Sequence, residues 1–327
     1  MNDSAVGENL DEFLWRSGLL KRGETARWTR LAGGVSSDIW RVRLPRETIC
    51  VKRARARLKV EADWQAPTER NLYEWKWFNF VHQNFPGIVP RPRAHDAEMQ
   101  MLAMEFLAPE DFRNWKAELL KGRADARFAA KAGQILGKIH AKSAFDKKIM
   151  ETFATDRLFY ALRIEPYLLA TAEKYPRVAP SIREIAAETF AAKIALVHGD
   201  VSPKNILMGR ENPIFLDAET AWFGDPAFDL AFCLNHFMLK AAYRPAAAQD
   251  YKNCFKSFAE SYLNQVNWER REEIEARGAR LLPVLQLARV DGKSPVEYLS
   301  DETAKDKIRQ PALRLILNPR AHLSEIF

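Results

Sequence analysis

Cysteine is scarce. The chain has three, Cys50, Cys233 and Cys254, an odd number without C-x-x-C spacing, which argues against a disulfide framework or a cysteine zinc site and suits a reducing compartment. Long apolar runs are missing too. No stretch approaches about 18 uninterrupted apolar residues, so no membrane-spanning helix and no membrane partner are expected. The opening MNDSAVGENLDEFLWRSGLL has neither a basic n-region nor an apolar core, so a cytoplasmic location is expected. Glycine and proline, 14 and 17 of 327 residues, are not in excess and there is no internal repeat, which speaks against long disorder.

What is present is the composition of an enzyme-sized folded body. Hydrophobic residues make up 47% and charged residues 28%, and the length suggests two lobes with substantial cores. The formal net charge is +7 and the pI about 9.2, a balance that can mark an anionic partner. Charges of both signs are nevertheless interspersed. The one dense basic run, Lys52 to Lys59, reads as a solvated loop after a strand, so nucleic acid is an unlikely partner.

The first third alternates as strands do. Trp40, Val42 and Leu44 share one face, and Ile49 and Val51 repeat the period of two, which predicts adjacent antiparallel strands joined to a glycine-containing turn at Leu31 to Asp38. A helix opens near Pro67-Thr68-Glu69, and a hairpin ends in Met101 to Phe106. Beyond about residue 108 the spacing becomes helical, with stripes over roughly 156–170, 180–193, 226–240, 246–265 and 270–287. The expectation is an N-terminal lobe over 1–107 and a C-terminal lobe over 108–327.

Residues 195–217 break the helical pattern. Two short apolar runs there each lead directly into an Asp-containing segment: LVHGDVSPKNIL, then PIFLDAE. Asp200 and Asn205 are five apart on a short polar loop, and Asp217 ends the next strand. Phosphoryl transfer needs a carboxylate near the attacking hydroxyl and hard oxygen donors that hold Mg²⁺ against nucleotide phosphates. An apolar strand running into an Asp is hard to explain by structure alone.

The set His198 to Asn205, Phe215 to Glu219 and Gly224 to Ala231 resembles the catalytic region of the aminoglycoside phosphotransferase and choline kinase group. That resemblance implies an α+β, protein-kinase-like two-lobed fold, with an antiparallel five-stranded N-lobe and a mainly α-helical C-lobe. It implies a kinase that uses ATP and Mg²⁺ to phosphorylate a hydroxyl of a small molecule. Asp200 would be the base, with Asn205 and Asp217 on the metal. Gly33, Gly34, Ser36 and Ser37 would cover the phosphates, Lys52 would bind them, and Glu69 would pair with Lys52, with Glu74 as substitute. Glu105 and Leu107 belong to the segment along which adenine would lie. His198 is expected as a scaffold residue, and Asp229 as the residue that fixes the Asp200 loop through its backbone N–H groups.

The sequence departs from the related patterns in places. Ser202 stands where protein kinases have Lys, which disfavours protein substrates, and Asp38 stands where the small-molecule kinases commonly have Asn. Two alternatives remain at this point: a nucleotide-binding regulatory module without turnover, and a protein kinase. The acceptor is expected not to be an aminoglycoside, because residues 241–327 hold 14 Lys/Arg against 12 Asp/Glu and offer no acidic excess for a polycation. Arg289 and Asp291 are expected in the acceptor pocket, where they would suit an anionic or zwitterionic group.

Overall fold

The computed structural model describes residues 4–31, 37–55 and 69–327, and the chain divides into two compact units, Met1–Asp111 and Phe112–Phe327. Each is built around its own core.

The N-terminal unit starts with helix α1 (Ser4–Arg16), followed by strands β1 (Arg27–Arg30), β2 (Ser37–Arg43) and β3 (Thr48–Ala54), helix α2 (Arg70–Asn84), and strands β4 (Pro92–Asp96) and β5 (Met101–Glu105). The strands form one antiparallel five-stranded sheet in the order β1-β2-β3-β5-β4, with Ile39 and Leu102 flanking Lys52 in register. Alternation decides the faces. Trp40, Val42, Ile49 and Val51 point to one side and bury against Leu10, Phe13 and Leu14 of α1. Sequence reading left α1 out. It covers the face of Ile49 and Val51, and α2 contributes Glu74 to the face that carries Lys52.

The C-terminal unit is mainly helical. It runs through β6 (Arg113–Asn114), α3 (Trp115–Leu120), α4 (Ala126–Ser143), α5 (Lys147–Thr152) and α6 (Asp156–Phe159) into a π-helical stretch, Tyr160–Leu169, and α7 (Ala170–Lys174). After α8 (Ala179–Ala191) come the short strands β7 (Ala195–Val197), β8 (Ile206–Met208), β9 (Pro213–Phe215) and β10 (Trp222–Gly224). Four helices close the unit: α9 (Ala227–Tyr243), α10 (Ala248–Leu263), α11 (Arg271–Asp291) and α12 (Glu302–Leu317).

β7 pairs antiparallel with β10, and β8 lies between β6 and β9, so the two ends of the polar loop 198–205 are each anchored in a ladder. α4 packs on α10 through Gly133 and Gly137, where an added Cβ would meet the Phe258 and Tyr262 carbonyls at 2.2 and 2.9 Å. That close approach brings Tyr262 onto His140, Oη to Nδ1 at 2.7 Å, behind the loop.

Candidate active site

In the N-terminal unit, Lys52 and Glu74 form a buried ion pair, with Nζ 2.8 Å from each carboxylate oxygen. Glu69 is corrected by this geometry. α2 begins at Arg70, so Glu69 sits exposed at its edge, whereas Glu74, in the second turn, is fully buried. Ser37 is buried at the start of β2. Gly33, Gly34 and Ser36 lie outside the described residues. Asp38 gathers Arg30 and Arg55, the latter through Nε at 2.9 Å. Burial works against its ionisation, but the arginines hold its carboxyl below the usual range. This explains why a carboxylate stands there, and it takes Arg55 out of the basic run. At the end of β5, Glu105 exchanges backbone bonds with Arg91: its N–H donates to the Arg91 carbonyl at 2.9 Å and its carboxylate accepts the Arg91 N–H at 3.1 Å. Leu107 follows, half-buried.

In the C-terminal unit, residues 198–205 form a turn held from three sides. From inside α9, the buried carboxylate of Asp229 accepts the backbone N–H groups of His198 at 2.7 Å and Gly199 at 2.9 Å, with His140 Nε2 at 3.3 Å from the first of these oxygens. Gly199 has φ 78°, and a Cβ there would lie 2.6 Å from Thr220 Oγ1, so only glycine fits. His198 bridges: Nδ1 accepts the Asp200 N–H at 3.2 Å while Nε2 donates to the Leu216 carbonyl at 3.0 Å. Burial lowers its pKa despite nearby carboxylates, which keeps it neutral in the tautomer those two bonds require. The Leu216 N–H in turn donates to the Asn205 carbonyl at 2.9 Å. Asp217, next in the chain, has a left-handed φ of 65°, a conformation that Asp tolerates better than most residues and that turns sharply out of β9. The loop of Asp200 and Asn205 and the turn of Asp217 are therefore one hydrogen-bonded assembly.

Two cations that the sequence reading missed meet the Asp200 carboxylate. Arg163 lies 3.2 Å away and Lys204 3.1 Å away. Burial alone would raise the Asp200 pKa, but Lys204 and Arg163 override it and hold the carboxyl well below the usual range. Lys204 has a visible signal, a spacing of four from Asp200. Arg163 has none, because it comes from a π-helical stretch, 160–169, distant in the chain, and it also donates its Nε to the Gly199 carbonyl.

The donor set fits a hard divalent cation. The carboxylate oxygens of Asp217 and Glu219 lie within 4.8 Å of one another, and Asn205 donates Nδ2 to the Asp200 carbonyl at 3.0 Å. Oxygen-only donors of this kind suit Mg²⁺. Glu219, almost wholly buried, was given no role from sequence although it sits two residues after Asp217.

Arg289 and Asp291 part company. α11 runs to Asp291, and residues two apart on a helix point in widely different directions. Asp291, expected with Arg289 in an acceptor pocket, has its carboxylate engaged by Arg309, at 2.8 and 2.9 Å, and by the Tyr175 hydroxyl. Arg289 instead donates to Ser294 and lies 6.0 Å from the Tyr167 ring. Asp225, at the start of α9, is held by Arg277 at 3.0 and 3.1 Å.

An antiparallel five-stranded sheet in one unit, and in the other a helical body carrying this loop and turn, define the class of protein-kinase-like folds. The same fold is found in an ethanolamine kinase from Plasmodium vivax (TM-score 0.57, 13% identity, 95% of this chain and 89% of that one). A choline/ethanolamine kinase family protein from Mesorhizobium loti shares it too (TM-score 0.53, 16% identity, 97% and 99%). The sequence matches the pattern of the phosphotransferase enzyme family over residues 27–273, and the chain belongs to that family. Among curated proteins it is similar to the methylthioribose kinase of Cronobacter sakazakii, 24% identical over 214 residues that cover 57% of this chain and 52% of the relative. The chain thus spans about half the length of that relative.

Proposed function

We propose that the chain is a Mg²⁺-dependent kinase that transfers the γ-phosphoryl group of ATP to a hydroxyl of a small molecule. The observation that carries this is the pair of bonds from Leu216 to His198 and Asn205, which locks the Asp200 loop to the Asp217 turn. A proton acceptor and a hard-oxygen donor set held in one rigid piece are what phosphoryl transfer demands, since its catalysis rests on positioning and electrostatics. The family membership supports the reaction class, and the names of the methylthioribose and ethanolamine kinases support a hydroxyl-bearing small molecule as acceptor.

Asp217 and Asn205, with Glu219 beside them, would hold the Mg²⁺, which when bound neutralises charge on the transferring phosphoryl group. Lys52, steered by Glu74, binds the α- and β-phosphates. Asp200 accepts a hydrogen bond from the acceptor hydroxyl and takes its proton as the new P–O bond forms and the bond to ADP breaks. Ionised at every pH above the acid range, Asp200 is a weak base, so its main contribution is orientation until the hydroxyl becomes acidic late in the transfer. Arg163 keeps that carboxylate and the Gly199 carbonyl in place.

Coupled detection of ADP from Mg-ATP, across alcohols, amino alcohols, sugars, aminoglycosides and a generic protein substrate, tests the reading. Acceptor-dependent ADP release with a small molecule and none with protein is expected. No release with any acceptor, together with no binding of Mg-nucleotide, would contradict it.

A further inference from the structure

Helix α9 reads AFDLAFCLNHFMLKAAY and is apolar almost throughout, yet His236 and Lys240 stand one turn apart on it, 6% and 1% exposed. A spacing of four puts both on the face that carries Phe232. The Lys240 ammonium makes one long contact, 3.5 Å to the His236 carbonyl, and lies 5.2 Å from the Tyr298 ring. No carboxylate among the described residues forms an ion pair with it. Around it, His236 Nε2, Arg289 Nε and the Tyr298 hydroxyl are buried without hydrogen-bond partners. A buried cation and several buried polar atoms left without partners are strongly unfavourable unless something else supplies them.

This cluster is continuous with Asp200. Arg163, paired with Asp200, lies 5.4 Å from the Tyr167 ring and 5.9 Å from Phe232. Tyr167 lies 6.0 Å from Arg289, and the Phe232 ring 5.8 Å from His236. A continuous set of side-chain contacts therefore joins Asp200 to the neighbourhood of Lys240. Glu297, the acidic group that acts on Lys240, is exposed and engaged by Lys116, and Cys233 is buried and uncharged. Burial, reinforced by Lys116 and Arg289, pushes Lys240 down to about 7, and burial with Lys240, Arg289, Lys204 and Lys116 pushes His236 well down, so His236 meets a ligand as a neutral imidazole.

We propose that the acceptor carries, besides the hydroxyl that receives the phosphoryl group, an anionic oxygen group, carboxylate or phosphate, and that Arg289, His236 and Lys240 hold it. The inference rests on the kinase reading, in which the acceptor hydroxyl meets Asp200. A cationic acceptor would enter a row of positive charge, and a neutral one would leave Lys240 without a counter-ion. An anion supplies the missing partner: Arg289 offers a planar fork, Lys240 a point charge, and His236 an N–H donor. Fixing the charged end orients the hydroxyl at the other.

The test uses the full chain with its nucleotide site saturated by Mg-ADP, melted in chloride, inorganic phosphate or glycerate at constant ionic strength. Phosphate, glycerate or both are expected to raise the melting temperature by several degrees, and the one that acts identifies the preferred group. The shift should vanish in Lys240→Met and Arg289→Met. Without anion at pH 6, below the lowered pKa of Lys240, Lys240→Met should melt above the wild type, because a buried ammonium has been replaced by a side chain that needs no counter-ion; that rise shows the variant is folded. No shift with either anion, or equal shifts in wild type and both variants, would overturn the inference. So would turnover of choline or glycerol with kcat/KM above about 10⁴ M⁻¹s⁻¹, an outcome that leaves the kinase reading standing. If Mg-ADP itself does not bind, the kinase reading falls and takes the inference with it.

Discussion

Arg163 and Asp200 are joined at 3.2 Å, and the Nε of the same arginine donates to the carbonyl of Gly199, the residue before Asp200. One side chain fixes both the carboxylate and the backbone that presents it. Asp200→Ala is expected to lower kcat by about 10²–10⁴-fold, the range of a positioned proton acceptor, with nucleotide affinity largely kept. Arg163→Met should lower kcat by roughly 10-fold to 100-fold, since it misplaces the base without removing it. Steady-state kinetics in both substrates checks this. A loss of ATP affinity as large as the loss in kcat would contradict it.

Glu74 and Glu69 separate cleanly. Glu74 is fully buried against Lys52, whereas Glu69 is exposed. Glu74→Ala removes a buried carboxylate paired with the Lys52 ammonium and should destabilise the protein by about 3–5 kcal/mol, with weaker nucleotide binding in whatever fraction stays folded. Glu69→Ala should change neither. Denaturant melts and nucleotide titrations of the two variants, side by side, decide it.

Lys240 sets a pH dependence whose sign can be worked out. Its folded pKa, about 7, lies below the ordinary 10.5. Between those values the unfolded chain holds a proton that the folded chain has released. Stability from this group is therefore complete above the upper value and is lost as pH falls through the window, by at most roughly 1.4 kcal/mol per pH unit. Cys233 and Tyr298, pushed up by burial, act in the opposite sense at the alkaline end. Comparing wild type with Lys240→Met removes their contribution. The wild type should gain on the variant from pH 7 to 10, and a constant difference would contradict the assignment.

Asp229 carries two charge-assisted bonds to the backbone of the Asp200 loop. Asp229→Ala should cost about 2–5 kcal/mol, because it opens a buried site and orphans two N–H groups. It should also lower kcat, since the loop loses its support from α9. A variant with normal stability and normal kcat would mean that the loop is held elsewhere.

The sequence made the polar loop legible because its chemistry is local: Asp200, Asn205 and Asp217 fall within 18 residues and interrupt apolar strands. Alternation made the antiparallel pairing of β2 and β3 readable, while the count of five strands came from the family resemblance. What escaped has physical reasons. The partner of Lys52 depends on where α2 begins, and a shift of a few residues decides between Glu69 and Glu74. Arg163 reaches Asp200 from a stretch whose helical spacing was read but whose π-helical winding was not, 37 residues away in the chain. Arg289 and Asp291 looked like a pair only while α11 was taken to end before them. Lys240 was overlooked as one charge in an apolar helix, although a lone lysine in such a run is itself a signal.

The central claim is that Asp217 and Asn205 hold Mg²⁺ against the phosphates of a nucleotide. The direct measurement is calorimetric titration of ATP into wild type and Asp217→Ala, each with and without Mg²⁺. The wild type should bind Mg-ATP at least tenfold more tightly than metal-free ATP, which is about 1.4 kcal/mol, and Asp217→Ala should lose that preference. No heat at millimolar nucleotide, or the same metal dependence in both proteins, would contradict it.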